Sequence, residues 1–288
     1  MQQQHSICEF FGSDSWVILS PIEQSIKRKI EAVGTPLKDW DIQINYGIKT
    51  GYNDAFIITT EKRNEILAHC VDADERIRTE ELIRPILRGR DIKRYGYDWA
   101  GLWLIATFPS RHYNIDEYPA VKDYLLSFGI ERLEQTGKTH TINGEKIKSR
   151  KKTNNKWFET QDSISYWDDF RRPKVIYPET TQGAYFAFDE SGFYIDKTCF
   201  MLISNNSEYL QLTLSSKLFA YSYKNIFSSV ELGEHGYQYN KHALIKVPIK
   251  IPNAKIKLSL NNNLDEQIYE LYHLDEEEIN FIESQQIR

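Results

Sequence analysis

A chain of 288 residues with 41% hydrophobic and 27% charged side chains can bury a substantial core, as one large domain or two small ones. No apolar run approaches the roughly 18 residues of a membrane span. The N-terminus has no signal-peptide pattern, so a cytoplasmic location without membrane attachment is expected. Cys8, Cys70 and Cys199 lie far apart with no Cys-x-x-Cys spacing. That argues against a zinc site or a disulfide framework and predicts free thiols in a reducing compartment.

The formal net charge of −5 hides an uneven distribution. Residues 264–287 hold eight acids and no Lys or Arg, so the rest of the chain is net positive by 3. Between Arg76 and Lys174, 20 Lys and Arg face 14 Asp and Glu. A basic middle admits a polyanionic partner whatever the overall sign.

Residues 1–11 are polar and irregular, fitting a link to something upstream. Ser20-Pro21-Ile22-Glu23 is a helix start, with Ser20 as N-cap, and Ile22, Ile26, Ile30 and Val33 share one face before Gly34. Residues 41–59, DIQINYGIKTGYNDAFIIT, alternate at Ile42, Ile44, Tyr46 and Ile48, turn at Lys49-Thr50-Gly51-Tyr52-Asn53-Asp54, and resume as Ala55-Phe56-Ile57-Ile58. This pattern predicts a hairpin with Lys49, Tyr52 and Asn53 at its tip. A short helix is expected over 61–68. LIRPILRGRDIKRY then puts Arg84, Arg88, Arg90, Lys93 and Arg94 on outward positions, either as phosphate contacts or as a solvated face paired with Glu80, Glu81 and Asp91.

A strand is expected over 102–108 and a helix over 116–128. Residues 137–156 carry seven Lys and Arg against one Glu and almost no apolar side chain, which predicts a surface loop, with or without a role as a basic arm. Trp157 and Trp167 flank a polar link; Phe170-Arg171-Arg172-Pro173-Lys174 leads into Val175-Ile176-Tyr177. A turn at Thr180-Thr181-Gln182-Gly183 returns through Tyr185–Phe188, and a second hairpin is expected across 189–192. Residues 209–227 read as one buried helix, 233–241 as a Gly- and Tyr-rich loop, 244–251 as the strand closing the sheet, and 258–281 as an acidic helical tail striped by Leu264, Ile268, Leu271, Tyr272 and Leu274. His140 and His235 read as exposed loop histidines.

Several chemistries lack their motifs. There is no Pro-Pro step for an amino-methyltransferase loop, no Gly-x-Gly cofactor turn and no Glu-x-Lys nuclease signature; the single Asp-x-Lys, Asp91-Ile92-Lys93, has no obvious partner acid.

GIKTGYNDAFII preceded by GTPLKDW, the LIRPILRGRDIKRY segment, WFETQDSISYWDDFRRPKVIYPE, and a helix with a Ser-Lys-Leu step before a Gly/Tyr loop and a Val-Pro-Ile end follow one another in order. Together they resemble the TaqI-like specificity domain of type IIG restriction–modification enzymes and related DNA adenine methyltransferases, over residues 34–252. The resemblance implies a mixed α/β (α+β) fold, a curved, largely antiparallel sheet with flanking helices. It divides the chain into an adaptor (1–40), a DNA target-recognition domain (41–252) and an acidic tail (253–288). It implies double-stranded DNA as partner and a methyltransferase or nuclease domain or subunit doing the chemistry, this chain being a fragment or a separate specificity subunit. S-adenosylmethionine and a divalent metal are then expected only in the catalytic part, with no cofactor, metal or catalytic residue here. Phosphate contacts are expected from Arg88, Arg90, Lys151, Lys152, Lys156, Arg171 and Arg172. Base reading is expected from Lys49, Tyr52, Asn53, Gln182, Tyr185, Tyr237 and Gln238, with an exposed Tyr or Trp filling the gap of a flipped base. The alternatives are a protein-interaction module docked through the acidic tail, or an enzyme with an unfamiliar site.

Overall fold

The computed structural model describes residues 19–228 and 236–287. In chain order the main elements are α1 (Pro21–Val33), β1 (Gln43–Tyr46), β2 (Ile57–Thr59), α2 (Thr60–Ala68), α3 (Ala73–Leu82), β3 (Ile83–Leu87), β4 (Leu102–Ile105), α4 (Pro119–Leu126), β5 (Thr139–Ile142) and β6 (Glu145–Lys148). There follow β7 (Lys174–Pro178), β8 (Ala187–Asp189), β9 (Tyr194–Ile195), β10 (Cys199–Ile203), α5 (Ser207–Leu214), α6 (Lys217–Ser222), α7 (Leu264–Leu271) and α8 (Glu276–Glu283).

The expected mixed class holds, and the pairing is largely antiparallel. Among the described residues the strands divide between two four-stranded sheets, ordered β8-β7-β10-β1 and β9-β3-β4-β2, and four two-stranded ladders. Only the β9–β3 pair of named strands is parallel. The first sheet is the middle layer. Val175, Tyr177, Leu202 and Ile44 face one core, with α1, α5 to α8 and Ile249; Ile176, Met201 and Ile203 face the other, with the second sheet and α2 to α4. Alternate residues of one strand thus serve two cores, which is why β7 is buried throughout.

Helix α1 forms as its caps predict: Ser20 and Glu23 make a reciprocal capping box, and Ile26 and Ile30 are buried. Its Lys29 ammonium lies 3.0 Å from Asp275 and 2.5 Å from Glu278 at the start of α8, and Glu23 accepts from the Tyr221 hydroxyl at 2.6 Å. The acidic tail is therefore folded onto the chain. Leu264, Ile268, Tyr269, Tyr272 and Ile282 are buried in the same core, with Leu271 and Leu274 packed at its edge.

Five local expectations are corrected. Residues 41–59 are not a hairpin: β1 pairs with β10 and β2 with β4, so this stretch crosses from one sheet to the other. The basic stretch 137–156 contains the β5–β6 hairpin, and His140 is half-buried within β5 rather than exposed in a loop. No hairpin spans 189–192, because after β8 the chain leaves the first sheet and β9 joins β3 in the second. The helix expected over 209–227 breaks at Ser215-Ser216, where the Ser216 hydroxyl caps α6 by accepting from the Phe219 amide. Pro248–Ile249 pairs only with Thr35–Pro36 and does not close the main sheet. His235 and Cys8 lie outside the described residues; Cys199 is buried and Cys70 half-buried, both free.

Lys174, which in the sequence does no more than lead into a strand, is fully buried. Its ammonium lies 2.5 Å from the equally buried Asp189 carboxylate and 2.5 Å from the Phe170 carbonyl. Asp189 also accepts from the Ser191 and Phe193 amides, both at 3.0 Å, and from the Tyr97 hydroxyl at 3.1 Å. Removing one partner strands a buried charge, so Lys174→Met is expected to lower stability by about 3–5 kcal/mol, measured by urea denaturation. Exposed Lys151→Met should be close to neutral in the same measurement.

Candidate functional site

The structure gathers residues from three sequence regions around one open cleft of about 750 Å³. One wall is the turn after β3, with Arg88, Gly89, Arg90 and Lys93. The second is the segment after β7, with Thr180, Thr181, Gln182 and Tyr185. The floor is the turn between β9 and β10, with Asp196, Lys197 and Thr198.

These walls are tied together by hydrogen bonds. The Asp196 amide donates to Leu87 O at 2.9 Å, and the Asp196 carboxylate accepts from the Thr198 amide at 2.9 Å and from the Thr198 hydroxyl. Thr198 Oγ1 accepts from the Gly89 amide at 2.8 Å, and Thr198 O accepts from the Glu179 amide at 2.9 Å. One turn thus fixes both rims. Asp196 is buried, and burial raises its carboxyl above the ordinary range, opposed by the Thr198 hydrogen bonds and by Arg88.

Of the five cations read as outward-facing in LIRPILRGRDIKRY, only Arg90 and Lys93 are exposed. The reason is that part of the segment is a strand of the second sheet and that Arg88 and Arg94 take partners within the protein. Arg84 is half-buried on β3; Arg94 is half-buried and donates to Ser215 O at 3.0 Å; Arg88 forks onto Asp91, with Nη2–Oδ1 at 2.8 Å and Nε–Oδ2 at 3.1 Å. Gln182 is exposed and Tyr185 half-buried at the opposite rim. Thr180–Thr181 pairs with Tyr237–Gln238, which puts Gln238 beside this wall, half-buried; Tyr237 is buried, its ring stacked on Tyr239.

A second group forms around Arg150. The sequence places this residue among the cations of a surface loop, yet it is buried and donates to four carbonyls: Leu133, Thr50, Glu159 and Trp157. Its guanidinium also lies 4.9 Å over Phe56. Burial pulls its pKa down to about 10, still cationic at neutral pH. Arg150 binds the 49–53 loop to the base of the β5–β6 hairpin. Exposed Lys49, Asn53, Lys151, Lys152 and Lys156 all lie on the segments it joins. Tyr52 is half-buried edge-on to Phe128, with Arg132 4.7 Å over its ring. Arg171 and Arg172 are exposed in a third place, the turn before β7, where Arg172 meets Asp169 at 3.1 Å.

The structure therefore joins Arg88, Arg90, Gln182 and Tyr185 in one cleft, sets Tyr237 and Gln238 beside its second wall, and leaves the remaining expected residues in two other groups. Lys197 and Thr198 are not among the residues expected from the sequence; an Asp-Lys-Thr turn between two strand-like runs is the signal that could have found them. Among the described residues, no group of three or more His, Cys, Asp or Glu is placed to hold a metal ion, and no helix is long and apolar enough to cross a membrane.

Residues 84–249, more than half of the chain and all three walls of the cleft, match the family described as the TaqI-like C-terminal specificity domain. The chain belongs to that family. The match begins after the 41–59 stretch, which lies outside it. Solved structures similar to this specificity domain include the type IIG restriction endonuclease BpuSI, with 13% identity and a TM-score of 0.49 over 93% of this chain and 29% of that one. The type IIL restriction–modification enzyme MmeI, solved in complex with DNA, has 13% identity and a TM-score of 0.42 over 86% of this chain and 33% of that one. The specificity domain spans about a third of the length of either enzyme.

Asp196→Ala removes the acceptor that holds Thr198 and is expected to cost about 1–3 kcal/mol. Asp196→Asn retains an acceptor and should cost less. The folded state holds the Asp196 proton more tightly than the unfolded chain does. Its contribution to stability therefore falls as pH rises from the ordinary carboxylate range through the raised value. Urea titrations across the acid range should show that slope in the parent and its loss in Asp196→Asn.

Proposed function

We propose that this specificity domain recognises a target sequence in double-stranded DNA and positions a catalytic methyltransferase or nuclease domain or subunit on it. The observation that carries the reading is the cleft. It places exposed cations at Arg90, Lys93 and Lys197 around uncharged hydrogen-bonding side chains at Thr180, Gln182 and Tyr185. Cations along a rim suit backbone phosphates, which give affinity without sequence information. Gln182 can pair with adenine through two hydrogen bonds, and a good pair of this kind discriminates by about 1–3 kcal/mol. Lys49, Lys151, Lys152 and Lys156 supply further phosphate contacts on the Arg150-held segments.

In this reading the specificity domain needs no cofactor of its own. S-adenosylmethionine and any divalent metal belong with the catalytic part, and the assembly works in the cytoplasm. Docking through the acidic tail is disfavoured, because the apolar stripe of α7 and α8 is used within the chain.

The test is a selection of random duplexes against the chain at two salt concentrations. Enrichment of one short motif, with affinity falling as salt rises, is the expected result. Arg90→Ala and Lys152→Ala should weaken all duplexes alike and reduce the logarithmic salt slope by about 0.9 for each phosphate no longer neutralised. Gln182→Ala should instead relax preference at one base position. Failure to bind any duplex at low salt would overturn the reading.

A further inference from the structure

Away from the cleft, α3, β3, the turn after β4 and the turn before β7 converge on a separate small pocket of about 70 Å³. Four arginines line it, Arg78, Arg84, Arg111 and Arg171, against a single carboxylate, Glu81. So many guanidinium groups around one small space repel one another unless something anionic lies between them.

Two of the four are fixed against aromatic faces. The Arg111 guanidinium lies 3.7 Å over the Trp167 ring, and that of Arg84 is 5.8 Å over Tyr194. Arg78 is held at its other end, where Nη2 donates to Glu117 O at 3.2 Å. The Nε groups of Arg78 and Arg84 are buried and have no hydrogen-bond partner in the protein. Buried N–H donors of a charged group left unpaired are costly, so these two atoms define a demand for an acceptor.

We infer that Arg78, Arg84, Arg111 and Arg171 form a binding site for one phosphate-class oxyanion. The planar fork of each guanidinium matches the oxygen edges of a phosphate, and forks from several directions suit a tetrahedral group better than a flat carboxylate. The volume admits a single small group. The pocket rests on its own geometry, and on the duplex-recognition reading only for one of two sources of the anion, a DNA backbone phosphodiester or a free phosphate.

The experiment follows the thermal midpoint of the whole chain with inorganic phosphate, against acetate at matched ionic strength. A saturable rise specific to phosphate is expected. Arg84→Gln and Arg111→Gln should each weaken the apparent phosphate affinity about tenfold, and exposed Lys255→Gln, outside both the cleft and the pocket, should not. If Arg84→Gln fails to fold, exposed Arg111→Gln carries the test. A second arm measures duplex affinity for the same variants. A parallel loss there assigns the anion as a backbone phosphodiester, even if free phosphate alone does not saturate the site. A phosphate response without a duplex effect assigns free phosphate, and still upholds the pocket if duplex recognition itself fails. Equal stabilisation by acetate and phosphate, with unchanged duplex affinity in both variants, overturns the inference.

Discussion

The turn at 196–198 is the constraint on which the rest of the arrangement depends. It is where the chain leaves one four-stranded sheet at β9 and enters the other at β10. It is also where the crossing segment between β1 and β2 passes in contact. Gly47 donates to Cys199 O at 2.8 Å and Ile48 to Ile195 O at 2.9 Å. A Cβ at position 47 would stand 1.9 Å from the Asp196 carbonyl oxygen, so no side chain larger than hydrogen fits. Two sheets, two crossings and both cleft rims meet at three residues. The geometry of the cleft is thereby set by backbone hydrogen bonds and the short side chains of Asp196 and Thr198, and not by the long side chains that line it.

Charge follows a similar division of labour. Lys174, Arg150 and Arg88 count towards the basic middle of the sequence, yet each is committed within the protein: to Asp189, to four carbonyls and to Asp91. At the other end, Asp275, Glu278 and Glu283 are committed to Lys29 and Lys217. What the net charge of the sequence describes and what a ligand meets are therefore different sets. Exposed cations around the cleft are Arg90, Lys93 and Lys197, and Lys49, Lys151, Lys152 and Lys156 stand exposed on the segments held at Arg150. Exposed single charges contribute mainly to approach and register, since solvent screens them.

Elements specified by neighbouring residues are legible in the sequence. Helix α1 follows from Ser20, Glu23 and the spacing of Ile26 and Ile30, and the β7–β8 return from its turn residues. Residues 41–59 mislead because their alternation reports a strand but not its partner. Tyr46 pairs with Phe200, far along the chain, and only Gly47 within a strand-like run hints at a close backbone approach. Lys174 and Arg150 pass for surface cations because their acceptors come from distant segments. Arg88, Arg90, Gln182 and Tyr185 stand out for their chemistry, but their meeting in one cleft depends on the sheet order. The 80s and 180s share one core through Leu87 and Ala187, and the 196–198 turn ties their loops together.

That dependence bears on how a specificity domain can change its target without changing its fold. Gln182 and Tyr185 sit on a short excursion between β7 and β8, and Arg90 and Lys93 on the turn after β3. Strand pairing fixes both excursions at their ends, from Ile176 to Ala187 on one side and from Pro85 to Trp103 on the other. Gln182, Arg90 and Lys93 are exposed, so substituting them costs little stability, whereas Tyr185 packs partly against the core. Substitution at Gly47, Asp196 or Thr198 disturbs both walls together. The residues that hold the cleft open and the residues that face its contents are thus separate sets, and in the proposed reading only the second set varies with the DNA sequence recognised.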